Sequence, residues 1–186
     1  MIDKRIFFQE YRKNLDIDGK LTQKEVNAID VFIDMVNERL KIITLHEWAY
    51  IFATTFHETA FTFEPVEESF RFSDNWRKKN LRYYPYHGRG YVQLTWKNNY
   101  QKFGRILGID LVKKPELAFN ERYAFEILFI GCKDGLFTGV SMSKFMKDGV
   151  PDYVKMRRVV NGNDKAEVIA DYSTEFYRIL KLSIKN

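Results

Sequence analysis

The chain has 186 residues and a mass of 22.2 kDa, enough to bury one substantial core and expected to form a single domain over residues 1–186. Its net charge of +5 is spread without a long Lys/Arg block, which argues against a nucleic-acid partner, and no run approaches eighteen apolar residues, which argues against stable membrane insertion. One cysteine, Cys132, excludes an intramolecular disulfide, and the 16% aromatic share suits a core of bulky rings or a sugar-facing groove.

A short helix is expected over residues 5–13. The segment Asn14–Glu25 then has the spacing of a twelve-residue calcium loop, with Asn14, Asp16 and Asp18 at positions 1, 3 and 5, Gly19 at 6 and Glu25 at 12. Asn in first place and a Thr22–Glu25 capping box favour a turn and a helix start instead, so neither a metal nor another cofactor is expected. The second helix, over 22–40, places Val26, Ile29, Ile33, Val36 and Leu40 on one face.

A third helix, over 45–60, opens with a Thr44–Glu47 capping box and buries Leu45, Trp48, Ala49, Phe52 and Phe56. Glu58 falls near its C-terminus, beside His57 and among Phe56, Phe61 and Phe63. Apolar neighbours and the negative end of a helix dipole favour a neutral carboxyl, which is what a general acid requires. Glu67 and Glu68 follow after Pro65 in a wetter loop. Two carboxylates in unlike surroundings are the usual pair for glycosidic bond hydrolysis.

Residues 64–90 read as a long irregular loop with a basic run, Arg77-Lys78-Lys79, and three tyrosines. Tyr91–Trp96 alternates and is the one good strand candidate. Helices are expected after Thr95, over 120–136 as the central buried helix, from Pro151, and after an Asp164–Glu167 capping box. Cys132 reads as a core residue. His57-Glu58 and His46-Glu47 both lack the second histidine of a zinc-protease motif, where Phe61 and Tyr50 stand. Asn161 and Gly162, preceded by Arg157 and Arg158, fit either a helix C-cap or a groove-lining amide and guanidinium.

Taken together, His57-Glu58-Thr59, His87-Gly88-Arg89-Gly90-Tyr91-Val92-Gln93-Leu94-Thr95-Trp96 with Asn99-Tyr100, and Arg158-Val159-Val160-Asn161-Gly162 resemble glycoside hydrolase family 19. That family comprises plant-type chitinases and related phage endolysins, and the short chain without a secretory segment looks more like the phage or prophage branch. The resemblance implies a mainly α, lysozyme-like, two-lobed helical domain with a small β element and a central cleft. It implies inverting hydrolysis of β-1,4 bonds at N-acetylglucosamine, with Glu58 as general acid. Glu68 is the preferred base and Glu67 the close alternative. Inversion requires the carboxyl groups to stand about 6.5–9.5 Å apart.

The same resemblance makes Gln93, Thr95 and Asn99 holders of sugar and water. It also places His57, Trp96, Tyr100, Arg158 and Asn161 around the substrate. The expected partner is cell-wall polysaccharide, with peptidoglycan preferred because Arg77, Lys78, Lys79 and Arg82 offer cationic walls. A monomer is expected, made in the cytoplasm and acting on the cell wall or periplasm after holin-dependent or other release. The alternatives are a chitinase acting on chitin oligomers, or a catalytically silent glycan-binding module on the same fold.

Overall fold

The structure, a computed structural model, describes residues 1–16, 19 and 21–184. Ile17, Asp18 and Lys20 of the calcium-loop-like segment lie outside the described residues. In chain order the helices are α1 (Lys4–Asn14), α2 (Gln23–Asn37), α3 (Leu45–Glu58), α4 (Asp74–Asn80), α5 (Lys97–Leu107), α6 (Glu121–Asp134), α7 (Tyr153–Met156) and α8 (Ala166–Ser183). Four two-residue strands accompany them: β1 (Val66–Glu67), β2 (Arg89–Gly90), β3 (Met146–Lys147) and β4 (Val150–Pro151). The fold is therefore mainly helical, as the sequence predicts. The chain divides into two compact units, Met1–Phe63 with Ile130–Asn186, and Glu64–Phe129.

The first unit is built on α3. Thr44 caps its start and Glu47 reaches back to the Thr44 amide, the reciprocal arrangement read from the sequence; Thr22 and Glu25 do the same for α2. Ten residues of α3 are buried, and its Phe52 and Phe56 meet α8 through Phe176 at ring separations of 5.4 and 5.6 Å. Phe32 and Phe63 complete this ring cluster at 5.1 and 6.0 Å from Phe52. Each such buried phenyl contributes about 1.5–3 kcal/mol through burial. Cys132 is wholly buried, and burial pushes its thiol well above the ordinary range, so it is a core residue.

Two local expectations differ here. The Asp164–Glu167 capping box does not form: the N-cap of α8 is Lys165, left-handed at φ +56° and without a side-chain cap. The Asp164 carbonyl is instead taken by Arg157 Nε at 2.9 Å. Pro151 opens no helix, because it lies in β4 opposite Met146, and α7 is capped by Asp152.

In the second unit β1 and β2 pair antiparallel, with Val66 opposite Gly90 and Glu67 opposite Arg89. The expected strand over Tyr91–Trp96 is absent. Gln93 and Trp96 adopt φ of +52° and +76°, which an extended strand cannot accommodate, and the chain turns so that Leu94 bonds back to Arg89. The 64–90 segment is less irregular than its composition suggests, since it contains α4, capped by Ser73. Gly90 has φ +87°, and a Cβ there would stand 2.9 Å from the Ala118 carbonyl, so only glycine lets β2 approach this closely. Among the described residues, no helix is long and apolar enough to cross a membrane.

Candidate active site

Glu58 is the last residue of α3, positioned by a helix whose other turns are locked in the core. The sequence suggests apolar surroundings, but the group that meets it is a cation. Arg157 Nη1 lies 2.8 Å from Glu58 Oε1, with the guanidinium 2% exposed and the carboxyl 20%. Phe56 and Phe63 turn into the core instead, 6.1 Å apart and both packed on Phe176. The Arg157 approach is an ion pair without hydrogen-bond alignment, since Nη1 has no partner of proper geometry. Arg157 is fixed from behind through Nε.

Arg158, the neighbour expected to line the groove, is exposed, and its carbonyl accepts from Thr138 Oγ1 at 2.8 Å. Asn161 is also exposed; its amide donates to the Arg157 carbonyl and its Oδ1 accepts from Gly162 N. His57 is half-buried in the last turn of α3.

In the second unit the two remaining carboxylates have unlike partners. Glu67 is opposite Arg89 in the β pairing, and its Oε1 accepts from His87 Nε2 at 3.0 Å and Arg89 Nε at 3.1 Å. Arg77 Nη2 approaches its Oε2 to 3.3 Å. Burial alone would raise the pKa of Glu67; the His87 hydrogen bond and the Arg77 and Arg89 charges outweigh it and hold the carboxyl below its ordinary value. Arg77 is thereby buried and committed to Glu67, and does not belong with the exposed Lys78 and Lys79 as a cationic wall.

His87 is wholly buried, and burial lowers its pKa against the opposing pull of Glu67, so the neutral ring donates from Nε2. Glu68 accepts from Tyr83 Oη at 2.6 Å and from the Gly88 amide at 2.8 Å, both neutral donors.

The predicted polar residues of the following turn form a chain of bonds. Asn99 Nδ2 donates to the Thr95 carbonyl, Thr95 Oγ1 to the Gln93 carbonyl, and Gln93 Nε2 to the Val66 carbonyl at 2.8 Å. Val66 immediately precedes Glu67, so Gln93 ties the turn to the carboxylate-bearing strand. Trp96 is 45% exposed, with Arg82 5.0 Å from its ring and Tyr83 at 4.9 Å.

Tyr100 differs from the expected substrate contact. It is wholly buried, donates to the His87 carbonyl at 2.7 Å and accepts from Arg89 Nη1 at 3.1 Å; burial pushes its pKa up to about 12. It braces His87 and Arg89 from within and has no surface to offer a sugar. Among the described residues no cluster of three or more His, Cys, Asp or Glu could hold a metal ion.

Residues 43–129 match the family model of glycoside hydrolase family 19, chitinase class I. This segment, just under half of the chain, carries Glu58, Glu67, Glu68 and the Gln93–Tyr100 turn, and ends before Arg157. An endochitinase of Arabidopsis thaliana is 37% identical over 98 residues, covering 50% of this chain and 35% of its own length. Basic endochitinase CHB4 of Brassica napus is 36% identical over 107 residues, covering 54% and 38%. Acidic endochitinase Q of Nicotiana tabacum is 32% identical over 124 residues, covering 61% and 47%. The chain thus spans about a third to a half of the length of these relatives.

Among solved structures, chitinase C from Streptomyces griseus HUT6037 aligns over 100% of this chain and 79% of its own, with TM-score 0.59 and 21% identity. A bacterial family 19 chitinase aligns with TM-score 0.54 and 19% identity over 100% and 98%. At these identities the likeness is one of fold, the lysozyme-like helical fold of family 19.

Sequence reasoning missed Arg157 in favour of Arg158, and missed His87, Arg89 and Tyr83 as carboxylate partners. Arg89 opposite Glu67 follows from β register, and Arg157 facing Glu58 from the turn after α7; neither leaves a periodic trace in the sequence.

Proposed function

We propose that the protein is a glycosidase that hydrolyses β-1,4 bonds at N-acetylglucosamine by single displacement. The observation that carries the proposal is the pair of carboxylates in unlike settings within the family 19 segment: Glu58 at a helix end against one guanidinium, Glu67 held ionised by three neighbours. Glu58 donates its proton to the leaving oxygen, a role that rests on its place in the His57-Glu58-Thr59 pattern and not on the apolar setting the sequence suggests, since Arg157 is what faces it. Glu67 activates water, inverting the preference for Glu68 that the sequence suggests: His87, Arg77 and Arg89 hold its carboxylate ionised and fix its orientation, at some cost in basicity. Glu68 is the second candidate. The Gln93–Asn99 bonds hold the turn that presents the remaining polar groups to sugar and water.

A polymer of the chitin type fits best, since the relatives named above are chitinases and endochitinases. A second reading, peptidoglycan, draws support from cations on exposed aromatic rings: Arg82 at Trp96 and Arg71 at Phe70, 5.0 and 5.6 Å from the ring centres. Such groups suit an anionic wall polymer. Parallel assays on chitin oligosaccharides and murein sacculi decide between them, with the anomer of the first product read by NMR. The α-anomer is expected. A β-anomer would eliminate single displacement, and no product from either polymer would leave a glycan-binding module.

A further inference from the structure

Beneath Glu58, α3 carries polar groups that the acid–base chemistry does not use. Tyr50, Thr54 and Glu58 stand four residues apart in succession and so share one face of the helix. Tyr50 and Thr54 are wholly buried. The Tyr50 and Thr54 hydroxyls are near enough to influence one another without forming an aligned hydrogen bond, Arg157 and Glu58 act on Tyr50 through their charges, and those two lie 2.8 Å apart.

Five buried side-chain polar atoms lack a hydrogen-bond partner among the described residues, and three of them gather here: Tyr50 Oη, Thr54 Oγ1 and Arg157 Nη1. Thr54 also departs from local habit. A helical threonine or serine ordinarily returns its hydroxyl to the carbonyl four residues back, as Thr55, Ser173, Thr174 and Ser183 do. Thr54 does not, so its hydroxyl remains available to the cluster. Buried polar atoms in native proteins are almost always satisfied by protein or by ordered water, and a site with two to four polar partners retains one.

We propose that Tyr50, Thr54 and Arg157 share one internal water molecule, and that Tyr50 and Thr54 act through it as positioning residues for the Glu58 carboxyl. The water accepts from Arg157 Nη1 and exchanges hydrogen bonds with both hydroxyls. It thereby fixes the tilt of a guanidinium that lies 2.8 Å from Glu58 Oε1 but is not aligned for a hydrogen bond. The positioning role rests on Glu58 being the general acid; the water site does not.

The test combines a crystal structure at a resolution that shows ordered water with kinetics of Tyr50→Phe and Thr54→Val, which remove only the hydroxyls. Thr54→Ser serves as the conservative control. Density for one water within hydrogen-bond distance of all three atoms is expected. In both variants kcat on chitin oligosaccharides should fall roughly tenfold with KM unchanged and the pH–rate profile displaced, while Thr54→Ser behaves as the parent. A dry cluster, or folded variants with the parent's kcat and pH profile, would overturn the proposal. If the parent degrades neither chitin nor murein yet holds the water, the hydrolase reading and the positioning role both fall and the water site stands.

Discussion

Arg157 places Nη1 2.8 Å from Oε1 of Glu58, and the two ends of this pair face different media, the guanidinium 2% exposed and the carboxyl 20%. Neutralising the carboxyl therefore has two consequences. Glu58→Gln should lower turnover by about 10²–10⁴-fold through loss of the acid. It should also leave a buried cation uncompensated, lowering stability by about 1–3 kcal/mol, or roughly 3–10 °C in Tm. Adding Arg157→Met should recover part of that stability without recovering activity. Calorimetry and initial rates on chitin oligosaccharides check both, and near-normal turnover in Glu58→Gln would remove it as the acid.

Glu67 and Glu68 separate by the same logic. Glu67→Gln strips the counter-charge from Arg77 and Arg89 and should cost about 2–4 kcal/mol, whereas Glu68→Gln loses only bonds from Tyr83 and the Gly88 amide and should cost about 1 kcal/mol. Activity should fall by at least about 10²-fold in Glu67→Gln. Chemical denaturation measures the first difference. A folded Glu67→Gln with full activity beside an inactive Glu68→Gln would reverse the base assignment.

The His87–Glu67 contact makes stability depend on pH. His87 has a pKa below its ordinary 6.5 in the fold, so the unfolded chain binds its proton first as pH falls. Its contribution is complete above about pH 6.5 and declines below it. Glu67, held below its ordinary 4.5, adds stability that is present above that pH and lost as pH falls through the folded value. Tm should accordingly drop in two stages on acidification. His87→Gln should flatten the stage just below pH 6.5; an unchanged slope would mean that His87 does not titrate as described.

Gly90 and Gly139 offer a matched pair. Both have positive φ, +87° and +83°, but a Cβ at Gly90 would meet the Ala118 carbonyl at 2.9 Å, while none stands within 4 Å at Gly139. Gly139→Ala should cost about 1–2 kcal/mol from backbone strain alone. Gly90→Ala should cost clearly more, because β2 must move and carry Arg89 with it. Equal losses on denaturation would show that β2 yields freely.

Features resting on neighbours in the chain were legible in advance. The capping boxes at Thr22 and Thr44 and the apolar stripes of α2 and α3 involve residues three or four apart, and a helix brings those together wherever it sits. Where the backbone left the common regions, reading failed. Nothing in the Tyr91–Trp96 alternation announces that Gln93 and Trp96 take positive φ, nor does Asp164 reveal that Lys165 will displace it as a cap.

The sequence by itself determined that the chain is helical, that Glu58 ends a buried helix, and that Glu67 and Glu68 follow it within the segment that matches the family 19 model. Only the tertiary structure decided the electrostatic setting of each carboxylate: Arg157 rather than Arg158 at Glu58, and Arg77, His87 and Arg89 around Glu67. The reason is range. Hydrophobic periodicity is written in adjacent turns, whereas a charge acts on whatever the fold brings within a few ångströms, however distant in the chain.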